Sequence, residues 1–144
     1  MPSDRHAIQL PCACANLRRA ARLVTQMYDE ELRVVGMRVT QYTLLQALKH
    51  AGALTQGELG NVLGLDSTTL TRSLRPLIES RWVRSEPGAD RRERKLQLST
   101  AGLRVYNEAL PQWRRAQARL KEAFGAKRLD HLERDLVEIA SASL

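Results

Sequence analysis

Apolar residues in the first third of the chain, Leu17, Ala21, Val24, Tyr28, Leu32 and Val35, recur at three- and four-residue steps. That stripe predicts an amphipathic helix of about five turns that stops at Gly36. Arg18, Arg19, Arg22, Gln26, Asp29 and Arg33 fill the other side, so one stripe is buried and the rest faces water. Thr40 opens a second, short helix through Tyr42, Leu44, Leu45 and Leu48 that ends near Ala51-Gly52. In Thr55-Gln-Gly-Glu58 the threonine caps the backbone and Glu58 reaches back, a capping box just ahead of Leu59, Val62 and Leu63. Gly64-Leu65 interrupts this third helix. Asp66 or Ser67 then caps a fourth, whose inner face is Leu70, Leu74, Leu77 and Ile78. Pro76 in this helix removes a backbone donor and crowds the carbonyl of Arg72, which predicts a bend or a distorted turn.

Two short, partly alternating runs follow, Trp82 to Glu86 and Arg94 to Leu98, separated by Pro87-Gly-Ala-Asp-Arg-Arg-Glu93. They read as a hairpin with a charged tip. Ser99 or Thr100 caps a long fifth helix carrying Leu103, Tyr106, Leu110, Trp113, Leu120 and Phe124, bent near Pro111 and ended by Gly125. In the last segment Leu129, Leu132, Leu136 and Ile139 stand at near-heptad steps, which suits packing against another helix. No internal repeat and no low-complexity linker interrupts the chain.

At 144 residues, with 43% hydrophobic and 27% charged residues, the chain has the length and composition of one folded domain. The net charge of +7 favours a polyanionic partner, nucleic acid or an anionic membrane surface. Aromatics at 4% leave too few rings for a single-strand stacking platform, so duplex DNA fits better. Two cysteines, Cys12 and Cys14, do not make a disulfide framework, and neither a signal peptide nor a membrane-length apolar run is visible. A soluble, cytoplasmic protein is expected. His6, His50 and His131 are scattered, and no phosphate loop or nucleophile elbow is present. The expectation is therefore no enzyme, no cofactor and no metal.

The middle of the chain describes a winged helix-turn-helix: a helix, a tight turn, a second helix with a polar outer face, then a basic-tipped hairpin. The fourth helix begins with Ser67, Thr68 and Thr69, small hydroxyl residues that let its N-terminus enter a major groove closely. Arg72 and Arg75 follow, placed to read guanine edges or to hold phosphates. From Ser67 to Lys95 there are eight basic residues against four acidic ones, more than half of the net charge. Arg91, Arg92 and Arg94 concentrate at the hairpin; the bland alternative is a solvated tip.

The stretch from about Val39 to Leu103, and more loosely the whole chain, resembles the MarR family of winged-helix transcriptional regulators. The resemblance rests on the long first helix, the Asp66-Ser-Thr-Thr-Leu-Thr-Arg72 start of the recognition helix, Asp90-Arg91-Arg92 in the wing, and Leu98-Ser-Thr-Ala-Gly102 opening the next helix. It implies a mainly α fold with a small β-hairpin wing, in which Arg92 enters the minor groove and Asp90 braces the wing. It also implies a homodimer on a pseudo-palindromic duplex. On that reading residues 1–144 form one domain, with 12–36 and 100–144 as dimerisation helices and 39–99 as the DNA-binding region.

The resemblance further implies a change in DNA affinity when a small molecule or an oxidant acts near the junction of the two regions. In the branch that senses organic hydroperoxides, the resemblance places the reactive cysteine on Cys14, counted back 28 positions from Tyr42. It places Tyr28 on one of the two tyrosines that bond that cysteine; Val39 stands where the second would be. Independently of family, a thiol near a helix N-terminus beside Arg18 and Arg19 is more readily oxidised, with Cys12 as a resolving partner once the first turn unwinds. A buried, structural Cys14 is the bland alternative. The rival functions are a repressor answering a small aromatic or anionic ligand held between the first, second and fifth helices, and a nonspecific architectural DNA binder.

Overall fold

The computed structural model describes residues 8–142; His6 lies outside them. Helix α1 (Ala13–Leu32) is followed by a single 3-10 turn (Arg33–Val35) and α2 (Val39–Ala51). Strand β1 (Leu54–Thr55), α3 (Gln56–Leu63) and α4 (Ser67–Glu79) come next, then β2 (Val83–Pro87), β3 (Arg94–Leu98), α5 (Thr100–Phe124) and α6 (Ala126–Ser141).

Local chemistry sets most of these boundaries. Gly36 adopts φ 68°, a left-handed conformation that costs glycine little, and the α1 segment stops there as expected. Helix α2 begins at Val39, one residue ahead of Thr40, because Asp29 of α1 accepts the Val39 N–H at 2.8 Å and Gln41 accepts the Arg38 N–H at 3.0 Å. The capping box at Thr55 forms in both directions, Glu58 N–H to Thr55 Oγ1 at 3.1 Å and Thr55 N–H to Glu58 Oε2 at 3.0 Å. For α4 the cap is Asp66 and for α5 it is Ser99.

The sheet is antiparallel with order β1-β3-β2. Val83 pairs with Leu98 at the root of the hairpin and Pro87 with Arg94 near its tip. Strand β1, whose two residues pair with Leu96 and Lys95, was not foreseen; two residues are too few to show alternation. The core lies between α2, α3, α4, the sheet and the first half of α5, with Leu45, Leu59, Leu74, Leu77 and Leu96 fully enclosed.

Two expectations need correction. Helix α1 begins at Ala13, a turn earlier than the apolar stripe predicts, and Leu17 and Ala21 of that stripe are exposed while Tyr28 and Leu32 are buried. Val62 and Ile78 face solvent, because α3 and α4 turn only one narrow side inward. Pro76 and Pro111 sit within helices that run on past them, Pro76 in the last turn of α4. Leu132, Leu136 and Ile139 of α6 are exposed within the single chain, and only Leu129 of that stripe is covered. Among the described residues, no helix is long and apolar enough to cross a membrane.

Candidate nucleic-acid interface

Helix α4 presents Ser67, Thr68, Thr71, Arg72 and Arg75 along an open groove of 420 Å³. The core leucines Leu70, Leu74 and Leu77 fix the opposite side, so the polar face points outward. Asp66 holds the start of the helix: its Oδ1 accepts the Thr69 N–H at 2.8 Å and its Oδ2 accepts the Thr69 hydroxyl at 3.1 Å. Thr69, predicted to touch DNA, therefore has its hydroxyl turned back into the cap. Thr71 was missed, although it continues the four-residue step from Ser67 to Arg75. Its Oγ1 accepts from Gln56 Nε2 at 2.7 Å, a bond that ties the start of α3 to the recognition helix.

Those bonds from Thr69, with the nearby N–H of Thr68 and the charge of Arg72, hold the Asp66 carboxyl below its ordinary 3.8. A carboxylate whose folded pKa is depressed contributes stability above its ordinary range, and that contribution is lost as pH falls through the lowered value. Thermal melts from about pH 5 down to about pH 2 should show the native protein losing stability through this window. Asp66→Asn, which keeps a capping oxygen but cannot titrate there, should flatten that part of the curve. An unchanged acid limb in the variant would mean that other carboxylates set it.

The wing tip is closed by three bonds. Gly88 N–H donates to Glu93 O at 2.8 Å, Glu93 N–H to Asp90 O at 3.0 Å, and Arg92 N–H to Asp90 Oδ1 at 3.1 Å. Asp90 thus shapes the turn that presents Arg91 and Arg92, both exposed. The guanidinium of Arg94, expected to contact DNA, donates within the chain to Ser85 Oγ at 3.0 Å and Ser85 O at 2.7 Å, bracing the hairpin. Between the wing and the helices lies a second cleft of 340 Å³, lined by Thr55, Gln56, Gly57, Ser67, Arg92, Glu93 and Arg94. It brings the wing arginine and the start of the recognition helix onto one concave face.

The two cysteines lie elsewhere. Cys12 is the N-cap of α1, extended at φ −151° and ψ 113°, and its Sγ accepts the Ala15 N–H at 3.5 Å. Cys14 is in the first turn, and both thiols are free and exposed. With Leu10, Ala15, Arg18, Arg19 and Arg22 they line a groove of 370 Å³. Asn16 pins the preceding segment through both polar groups of Leu10, at 3.2 and 2.7 Å. Tyr28 is on the same helix, about 21 Å along it from Cys14 at 1.5 Å per residue, and its hydroxyl donates to Gln117 of α5. A contact between Tyr28 and Cys14 within one chain is thereby excluded. Burial, reinforced by Glu133, raises the Tyr28 pKa, so the hydroxyl stays a donor. Among the described residues, no group of three or more potential metal ligands comes together.

Comparison with known proteins agrees with this geometry. The family model of the MarR family matches residues 35–93. The uncharacterized HTH-type transcriptional regulator YwoH of Bacillus subtilis is 30% identical over 105 residues, 73% of this chain and 72% of YwoH. The M. tuberculosis transcriptional regulator MosR, in a crystal structure with DNA, is 34% identical and superposes with a TM-score of 0.82, covering 92% of this chain and 96% of MosR. A mutant of E. coli MarR complexed with operator DNA has the same fold at 22% identity and a TM-score of 0.78, covering 96% of this chain and 99% of that one. The relatives are transcriptional regulators rather than enzymes, and the chain belongs to the MarR family of winged helix-turn-helix, DNA-binding transcriptional regulators.

Proposed function

We infer that this protein is a homodimeric repressor that binds a pseudo-palindromic duplex operator and releases it when the cysteines at the start of α1 are oxidised. The observation that carries the DNA reading is the concave face on which Arg92 and Ser67 meet, flanked by the groove of Thr68, Thr71, Arg72 and Arg75. The crystal structure of MosR with DNA supports the same partner for this chain. A shaped face with short hydroxyl side chains suits base-edge contact better than a nonspecific architectural role. Apolar residues left exposed on α1 and α6 support the dimer, since a second copy would cover them.

Two observations favour thiol oxidation over a ligand between the helices. Both thiols are exposed in an arginine-rimmed groove, and the space between α2 and α5 is filled by rings: Tyr42 stacks on Tyr106 at 5.2 Å and on Trp113 at 5.8 Å. Cys12 caps the helix from just outside it, and on this reading a bridge to Cys14 forms once that cap and the first turn of α1 open. In the reaction a Cys14 thiolate attacks the O–O bond of an organic peroxide, taking one oxygen as sulfenic acid while the alcohol leaves. Cys12 then displaces water to form the disulfide, so two thiols are oxidised and one peroxide is reduced.

The test measures affinity for a duplex selected by the wild-type protein from a random pool, before and after stoichiometric cumene hydroperoxide. Wild type should lose about tenfold or more in affinity and recover with dithiothreitol, whereas Cys14→Ser should be indifferent to peroxide. Cys12→Ser should respond without forming the internal bridge. A wild type unaffected by peroxide, or a Cys14→Ser protein that still responds, would overturn the thiol reading; a pool that yields no preferred sequence would overturn the operator reading.

A further inference from the structure

The backbone between the recognition helix and the wing is held by the beginning of α5 in a way that helix capping alone does not require. Trp82 is the pivot: its N–H donates to Leu77 O of α4 at 2.9 Å, and its carbonyl accepts the Ser99 N–H at 3.0 Å. The Ser99 hydroxyl accepts the Gly102 N–H at 2.9 Å, which is the ordinary cap. Its proton faces the carbonyls of Arg81 at 2.6 Å and Trp82 at 3.1 Å, which is additional. Arg81, whose carbonyl is gripped, has φ 60°; among the described residues it is the one non-glycine residue with positive φ. L-residues avoid that region, so it persists where surrounding bonds hold it. Gly102 completes the fit, because a Cβ there would stand 2.0 Å from the Trp82 oxygen. Only glycine lets α5 approach this closely.

We propose that Ser99 is a positioning residue for DNA binding: through the Arg81 and Trp82 carbonyls it locks the root of the wing against the recognition helix. The leverage is geometric. The five residues of β2 at about 3.3 Å each put the tip roughly 17 Å from this root, so a pivot of about 10° at Trp82 moves the tip by about 3 Å, a hydrogen-bond length. The same clasp makes α5, which carries Gln117 and Arg119 against α1, move together with the α4 and wing junction. The proposal rests on the reading that Arg92 touches DNA, since only then does wing position matter for affinity.

The experiment is a double-mutant cycle on the full chain, with the selected duplex as probe and native protein quantified by circular dichroism well below the melting temperature. Ser99→Ala should weaken binding about tenfold, while Ser99→Thr, which keeps the hydroxyl, should stay within about threefold. On an Arg92→Ala background the Ser99→Ala loss should shrink to less than about twofold, because a wing without its contact has no position to lose. A role confined to capping α5 would lower the melting temperature equally in both backgrounds and leave the affinity losses additive. Additive losses, or wild-type affinity in Ser99→Ala, would overturn the proposal alone. An Arg92→Ala protein that binds like wild type would overturn the wing-contact reading and the proposal with it.

Discussion

A chain ended after Ala126 is expected to sediment as a monomer at micromolar concentration and to lose nearly all operator affinity. Helix α6 is covered on its own chain mainly at Leu129, whereas Leu132 and Leu136 remain 37% and 41% exposed and Ile139 47%. Leu17 and Leu23 on α1 are similarly open, at 42% and 51%. Full burial of such a side chain stabilises by about 1.5–3 kcal/mol, so covering the exposed remainder gains roughly half of that, and a two-fold interface buries each one twice. These five residues per chain therefore give a dimer several kcal/mol of apolar burial, on the order of 1 kcal/mol for each copy of each residue. A monomer reads one half-site, and the loss of the second falls within the factor of about 10³–10⁷ that separates specific from nonspecific binding. Because truncation also uncovers part of α5, the double variant Leu132→Glu, Leu136→Glu serves as a second arm that keeps the helix. A truncated chain that stays a dimer of unchanged stability would remove α6 from the interface.

How legible these features were depends on whether one residue or two distant ones decide them. Thr55 and Glu58 are three apart, and their reciprocal bonds were foreseeable because every helix start presents the same unpaired donors. The Asp66 cap was readable to within one residue for the same reason. Thr69 and Arg94 lie on the expected elements, and within the chain their polar groups are bonded to Asp66 and Ser85. A threonine hydroxyl at the third helical position chooses between solvent and its own cap, and an arginine in a hairpin chooses between DNA and the strand opposite it. Type and spacing leave such choices open. The partner of Tyr28 was not foreseeable either, since Gln117 lies 89 residues away and only the docking of α1 on α5 brings it near. The apolar stripes at both chain ends were visible as stripes, yet periodicity does not say whether the same chain covers them, and most of the α6 stripe stays open within it. Cys12 shows a local limit of the same kind: the apolar stripe began at Leu17, and nothing in it announced a helix start capped by sulfur.

Arg92→Ala should weaken binding on every duplex by a similar factor, whereas Arg72→Ala should change which duplex is preferred. Arg92 stands at an exposed tip whose turn is held by Asp90 and Gly88 through backbone bonds that the substitution leaves intact, so the protein should fold normally. Losing one phosphate contact should flatten the dependence of log affinity on log salt by about 0.9 per chain, near 2 for a dimer with both wings engaged. Arg72 lies on the outward face of α4 beside Thr68 and Thr71, within reach of base edges once the helix is in the major groove. Loss of a bidentate contact there costs about 1–3 kcal/mol of discrimination per half-site and affects chiefly the preferred sequence. The two effects separate in one data set: affinities for the selected duplex and for a scrambled duplex of equal length, each across a salt series. Arg92→Ala should lower both curves and reduce both slopes, while Arg72→Ala should draw the selected curve toward the scrambled one. A uniform loss with unchanged sequence preference in Arg72→Ala would make that arginine a phosphate contact and shift base reading to Ser67, Thr68 and Thr71.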